Sequence, residues 1–248
     1  MNKQKNIKLI LEYDGTRYHG WQRQKNGSTI QDEIEKRIHM MTGESVKLIA
    51  SGRTDAGVHA LNQVCNFMST SKIPPESFER GLNSLLPDDI HIKGAEYGHF
   101  DFHSRYSSKS KIYEYRILNR NQPDVFLRYY SWHIQRKLDG PAMEKCCSLL
   151  MGKHDFSAFK SSGSKNVNPV REMMRAELHS LNDGVLCFLF EADGFLRHMA
   201  RNIVGTVVEV GRGRMDFNEF RRILQSGDRR MAGIKAPPQG LFLKMVRY

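Results

Sequence analysis

The stretch Ser-Gly-Arg-Thr-Asp-Ala-Gly-Val-His at 51–59 gathers an arginine, an aspartate and a histidine around small hinge residues. Arg53, Asp55 and His59 lie among Gly52, Ala56 and Gly57, so the backbone can turn sharply and push the polar groups outward. A carboxylate presented this way can act as a nucleophile or as a base. The same composition also suits an ordinary surface turn, the commoner meaning of Thr-Asp-Ala-Gly.

Other chemistries lack their signatures. No phosphate-cradling Gly-x-x-x-x-Gly-Lys, dinucleotide fingerprint, His-Glu-x-x-His or Gly-x-Ser-x-Gly occurs in the chain. Nucleotide hydrolysis, hydride transfer and zinc hydrolysis are therefore unsupported. Of the ten histidines, His19, His59, His103 and His198 share no helical spacing, which favours hydrogen-bonded or surface roles over a metal site. The four cysteines include no Cys-x-x-Cys pair; Cys65 and Cys187 fall in apolar runs, and Cys146 and Cys147 in a helical pattern, all reading as buried thiols. The expectation is an activity with no metal, nucleotide or other cofactor.

The charge points to a partner. Thirty-eight Lys and Arg against 27 Asp and Glu give +11 over 248 residues, more than solubility requires. The basic residues are spread through ordered-looking sequence, so a polyanion should meet a folded surface, which suits recognition of nucleic acid by shape. No apolar run approaches the roughly 18 residues of a membrane span, and the charges near the N-terminus break up any signal-peptide core. These features place the protein in the cytoplasm, away from membranes.

The elements that must position Asp55 are legible as periodicities. Ile7, Leu9, Leu11 and Tyr13 alternate as a half-buried strand. Ile30, Ile34, Ile38 and Met41 follow at helical spacing, with Ser28 and Gln31 as the expected capping pair and Gly43 as the stop. Strands are expected at Val-Lys-Leu-Ile-Ala-Ser, Asn-Gln-Val-Cys-Asn-Phe-Met and Ile-His-Ile-Lys-Gly-Ala-Glu-Tyr-Gly, and a helix starting near Pro75. The second half gives a strand at Lys-Ile-Tyr-Glu-Tyr-Arg-Ile-Leu and a helix with Met143, Cys146, Cys147 and Leu150 on one face. Two strands joined at Asn182–Gly184 follow, then a helix with Met199, Ile203, Val207 and Val210 on one side, a helix capped by Asp216 and Glu219, and a final strand from Gly240. Residues 154–172 hold too much Ser, Gly and Asn for a helix or strand. The summary is α+β: two halves, each a mainly antiparallel sheet flanked by helices, with the seam near 100–108 and domains at 1–104 and 105–248.

Several blocks along the chain carry a resemblance. "GRTDAGVHA" resembles the aspartate motif of the tRNA pseudouridine synthase A family, and "EYDGTRYHGWQRQ" at 12–24 its N-terminal signature. "LNSLLP", "FHSRYSSKSKIYEYRI", "HDFSAF", "GFLRHMARNIVG" and "QGLFL" resemble its other blocks, in order. The resemblance implies the pseudouridine synthase fold, two similar halves joined across a central active-site cleft. It also implies isomerisation of uridine to pseudouridine at positions 38, 39 and 40 of the tRNA anticodon arm, with the base flipped out of its stack. By position it makes Asp55 the catalytic nucleophile, Tyr113 the active-site tyrosine and Arg201 the arginine that pairs with the aspartate. It places Arg53, which matches the arginine that draws the base out, Leu241, an apolar contact near the aspartate, His59 and Arg23 among the substrate-binding residues. It further implies a homodimer with tRNA across both subunits.

The chemistry asks for these types. The bond from N1 to C1′ must break and C5 must join C1′, with no redox change and no energy input. A fixed cation keeps a carboxylate ionised in a desolvated pocket, and a tyrosine offers both a stacking face and a hydroxyl for proton transfer. Without the resemblance, Tyr113 reads as a core aromatic, Arg201 as a surface arginine and Leu241 as core. The rival functions are a tRNA-binding protein or chaperone without catalysis, and a metal-dependent nuclease, for which no carboxylate cluster is evident.

Overall fold

Alternation makes the first strand: Ile7, Leu9, Leu11 and Tyr13 are buried, while Lys8, Ile10 and Glu12 on the other face are partly exposed, along β1 (Lys5–Tyr13). The computed structural model describes residues 4–163 and 168–248. The chain divides into two compact units, Met1–Lys109 with Leu243–Tyr248, and Ser110–Phe242. Residues 243–248 thus group with the first unit, although sequence order puts them at the end of the second half.

The first unit continues with α1 (Ile30–Thr42), β2 (Ile49–Ala50), β3 (His59–Ser69), α2 (Pro75–Leu85) and β4 (Ile90–Gly98). Strand β1 is central, antiparallel to both β3 and β4. Helix α1 buries Ile30, Ile34 and Ile38, and Gly43 ends it in a left-handed conformation at φ 72°. Its cap lies one residue later than the sequence suggests. The Ser28 carbonyl accepts the His19 amide in the preceding loop, and Thr29 caps the helix by accepting from the Asp32 amide. Gln31, freed from capping, is buried and donates to Glu35. Helix α2 closes over the sheet through Phe78, whose ring meets Phe67 of β3 edge to face at 5.7 Å.

The second unit contains β5 (Ser110–Leu118), β6 (Trp132–His133), α3 (Gly140–Leu149), β7 (Gly152–Asp155), β8 (Val170–Ser180), β9 (Val185–Ala192), α4 (Met199–Gly211), α5 (Phe217–Ser226) and the start of β10 (Leu241–Arg247). Its strands run in the order β5-β9-β8-β7, antiparallel throughout, with the two-residue β6 parallel to β5. Asp183 and Gly184 turn β8 into β9 with φ 59° and 77°. The stretch 154–172 is more ordered than its composition suggests: β7 reaches Asp155, a 3₁₀ turn occupies Ser157–Phe159, and β8 begins at Val170. Residues 164–167 of that stretch lie outside the described residues. Phe156 and Phe159 give the turn its anchor by entering the core, where Phe159 lies 6.0 Å from Phe220 of α5. Both units combine helices with strands, an α+β fold.

Helix α4 departs from the one-sided pattern. Every residue from Met199 to Gly211 except Glu209 is buried, including Arg201, Asn202 and Thr206, so this is an interior helix and not an amphipathic one. It tolerates close neighbours because Gly205 has no side chain. A methyl group there would fall inside the van der Waals shell of the Ile234 carbonyl oxygen. Gly205→Ala should therefore cost about 2 to 4 kcal/mol, above the usual overpacking range because the obstacle is backbone. A thermal melt of the variant should show a fall of several degrees; an unchanged melting temperature would refute the packing argument.

Candidate active site

Asp55 is positioned by main-chain hydrogen bonds on both sides. The Trp21 amide donates to the Thr54 carbonyl at 3.1 Å, the Gly57 amide to the Tyr18 carbonyl at 3.2 Å, and the Val58 amide to Asp55's own carbonyl at 3.2 Å, closing the turn. Gly57 takes φ 74° to make it. The loop of residues 14–28 lies directly against this turn. A Cβ on Gly20, at φ 87°, would come within 2.6 Å of the Thr54 oxygen, and one on Gly15 would strike the Val58 carbonyl. Two glycines thus allow two backbones to touch.

Side chains complete the support from below. Gln63 of β3 accepts from the Ser51 hydroxyl at 2.6 Å and donates to the Gly52 carbonyl at 2.9 Å, while Thr54 Oγ1 shares a 2.8 Å hydrogen bond with the Tyr13 hydroxyl. Burial pushes the Tyr13 phenol up to about 12, opposed by its hydrogen bonds to Thr54 and Gln63. Trp21 is 1% exposed and packs 6.2 Å from Tyr13, so it anchors the loop and has no face to offer RNA. Asp55 itself is half-buried and Arg53 exposed. The loop therefore leaves Arg53 exposed and Asp55 half-buried while Ser51, Thr54 and Val58 are buried beneath them.

His59 and Arg23 are both held by neighbours within the first unit. His59 is 2% exposed, and its Nδ1 accepts the Gly15 amide at 3.1 Å with Asp14 Oδ1 equally close. It holds the 14–16 turn in place beside the aspartate loop. The Arg23 guanidinium, 62% exposed, lies 3.2 Å from Asp32 and 3.3 Å from Glu35 of α1.

The second unit gathers its own group. Tyr113, midway along β5 and 7% exposed, pairs with Phe190 across the ladder and meets Phe195 edge to face at 4.7 Å. Phe195 lies inside "GFLRHMARNIVG" and is the partner that spacing alone does not single out. Arg201 is 6% exposed on the first turn of α4, not the surface arginine a helix position suggests. Its Nε donates to the Ala236 carbonyl at 2.8 Å, and the Ala236 amide returns a bond to the Arg201 carbonyl at 3.1 Å. His198, just before the helix, adopts φ 62°, a strained value for a residue with a side chain and one often kept at functional sites.

The segment after Ala236 joins these residues. Tyr115 donates its hydroxyl to the Pro237 carbonyl at 2.8 Å. Burial drives that phenol well above its ordinary range, with the charge of Arg201 opposing. A Cβ at Gly240 would approach both the Arg116 carbonyl and the Tyr115 ring to 2.7 Å, so only glycine lets the chain pass and deliver Leu241 into the interior, 5% exposed. Residues 236–241 thus run from Arg201 to β5, binding three expected site positions into one rigid piece. Among the described residues no group of three His, Cys, Asp or Glu side chains could hold a metal ion, and no helix is long and apolar enough to cross a membrane.

Known proteins share this chain's sequence almost end to end. A family model described as tRNA pseudouridine synthase matches residues 9–107 and 146–248. The tRNA pseudouridine synthase A of Acetivibrio thermocellus is 48% identical over 244 residues, covering 98% of this chain and 100% of the relative. The enzymes of that name from Thermoanaerobacter sp. strain X514 and Caldicellulosiruptor saccharolyticus are 48% and 46% identical with the same coverage.

The buried Tyr13 phenol gives the aspartate loop an alkaline limit. Its folded value of about 12 exceeds the ordinary 10, so the unfolded chain loses this proton first. The stability it contributes is complete below pH 10 and declines by roughly 2 to 3 kcal/mol as pH rises to 12. Denaturation of wild type and Tyr13→Phe across that range should show a shallower alkaline decline in the variant; parallel curves would refute the assignment.

Proposed function

Because the chain belongs to the tRNA pseudouridine synthase family, we propose that it isomerises uridine to pseudouridine at positions 38, 39 and 40 on the 3′ side of the tRNA anticodon arm, as a cytoplasmic homodimer without cofactor. Asp55 is its nucleophile, Tyr113 and Arg201 its other catalytic residues, and Arg53 and Leu241 contact the displaced nucleotide. The observation that carries this reading is a half-buried carboxylate on a turn held by main-chain hydrogen bonds at Thr54, Asp55, Gly57 and Val58, inside the stretch the family model matches.

The chemistry follows from what each group can do. The glycosidic bond between N1 and C1′ breaks, the freed uracil turns, C5 bonds to C1′, the C5 proton leaves to a base, and N1 takes up a proton, so that the product is an isomer. Addition of the carboxylate to C1′ or to C6, or removal of the C2′ proton, needs the same condition: an ionised oxygen held still in a place that excludes water. A rigid turn supplies the stillness. The buried Arg201 guanidinium supplies a fixed positive charge of the kind that keeps a carboxylate ionised. The Tyr113 ring provides a flat face for the uracil and its hydroxyl a route for the C5 proton. Arg53, exposed beside Asp55, is free to reach a nucleotide leaving its stack, a step that costs a few kcal/mol.

Neighbouring target positions demand tolerance of base identity. One pocket serving several bases must recognise the arm by backbone and shape, which a chain of net charge +11 supports.

Tritium at C5 of uridine in an anticodon-arm transcript reads the reaction directly. Wild-type protein should release it without nucleotide and in chelator, and Asp55→Ala should release none while tRNA affinity stays within a few fold, since one carboxylate adds little to many phosphate contacts. Binding without release by wild type would instead support a tRNA-binding protein. Gly20→Ala should lower kcat about 100-fold with the fold intact, because displacing the Thr54–Asp55 backbone by a fraction of an ångström misaligns the carboxylate. Retained turnover in that variant would remove the geometric basis of the proposal.

A further inference from the structure

The second unit contains a cleft of about 930 Å³ between Lys160–Ser162, the end of α4 and the strap of residues 229–234. Its lining is basic. Lys160, Arg214, Arg229 and Arg230 face it with a single carboxylate, Glu209. That carboxylate is already shared, 2.8 Å from Arg212 and 3.3 Å from Arg214. Asp228 pairs with Arg230 at 2.6 Å, but Arg230 is 90% exposed, where such a pair is weak and easily exchanged.

Arg229 differs from the others. Its guanidinium donates to the Ala232 carbonyl at 3.1 Å, the Gly233 carbonyl at 3.0 Å and Asn202 Oδ1 at 3.1 Å. These neutral acceptors fix its direction without cancelling its charge, and burial disfavours that charge. A cation held this way gains from an anion that enters the cleft. The frame around it is stiff. Gly233 donates its amide to Thr206 Oγ1 at 3.0 Å, Asn202 Nδ2 reaches the Phe159 carbonyl at 2.7 Å and Ser161 Oγ at 3.2 Å, and Gly205 lets the strap lie directly on α4. Little ordering remains to be done on binding.

Several cations spread over a cleft of this size match an extended chain of phosphates better than one small anion. We propose that this cleft binds the sugar–phosphate backbone of the tRNA, with Arg229 as its fixed cation and Lys160, Arg214 and Arg230 closing on neighbouring phosphates. The proposal rests on the reading of the chain as a tRNA-modifying enzyme and gives that reading a place on the surface. It also ties binding to chemistry within the unit: Asn202, which Arg229 grips, adjoins Arg201 on α4, and the strap ends at Ala236, which bonds to Arg201 in both directions.

The test removes charge and leaves Arg229 in place, because Arg229 also holds the strap. Filter binding of unmodified tRNA, from about 50 to about 200 mM salt, compares wild type with Lys160→Ala/Arg214→Ala/Arg230→Ala and with Lys47→Ala/Lys72→Ala/Arg222→Ala, an equal loss of charge at exposed positions elsewhere. The cleft variant should bind at least tenfold more weakly at low salt, with the slope of log Kd against log salt smaller by about two, and the control variant should change far less. An unchanged slope in the cleft variant, or an equal fall in both variants, overturns the proposal. Tritium release by wild type in the same preparation separates the two readings: its absence beside an intact difference in slope would remove the isomerase and keep the RNA-backbone site.

Discussion

Main chain packed on main chain is the constraint from which the aspartate loop derives its geometry. Where Gly15 and Gly20 lie against Val58 and Thr54, no side chain stands between the two backbones, so no rotamer can absorb a shift. The position of Asp55 is then fixed by the 14–28 loop, and that loop by Trp21, Tyr18 and His59. Tyr18 donates its hydroxyl to Asp89 at 2.6 Å, and burial together with that carboxylate keeps the phenol protonated far above its ordinary range. The buried polar groups Thr54, Gln63 and Tyr13 satisfy one another, which is why a loop of small residues can be this rigid without an apolar core of its own.

The second unit uses the same device at Gly205, Gly233 and Gly240. There the close approach lets an interior helix carry polar residues whose partners come from the strap: Thr206 with Gly233, Asn202 with Arg229, Arg201 with Ala236. A buried guanidinium is costly to desolvate, and it persists where surrounding acceptors and a specific task hold it. The proposed reaction would give the buried charge of Arg201 such a task.

How much of this is legible in the sequence depends on whether the deciding interaction is local. Period-two and period-3.6 patterns, with their glycine stops, mark β1, β4, α1, α2 and α5, and Asp216 and Glu219 form the capping box their spacing suggests. The α1 cap is displaced by one residue because the Ser28 carbonyl is engaged by His19, nine residues back. Helix α4 shows apolar spacing along one side, yet nothing local reveals that its other sides are buried under a strap 30 residues onward. His59 stands out in the sequence from its place beside Asp55, while its hydrogen bond with the Gly15 amide, 44 positions away, is not legible there. Asp55 is legible as part of a block, while the glycines that aim it are uninterpretable until their neighbours are known.

Under the proposed reaction, the distribution of charge answers what base flipping requires. Extruding a nucleotide costs a few kcal/mol before any bond changes, and that energy has to come from contacts made away from the reacting base. Phosphate contacts are suited to it because they do not depend on sequence and can hold the arm in one register while different uridines are presented. In that scheme the binding falls to cations spread over folded surface, such as the proposed Arg229 on its strap. The proposed reacting group, Asp55, is then a single carboxylate on a turn of mostly small residues, with Arg53 close by in sequence. Affinity and chemistry are separable in the proposed scheme: one is spread over many Lys and Arg, the other is concentrated in Asp55, Tyr113 and Arg201.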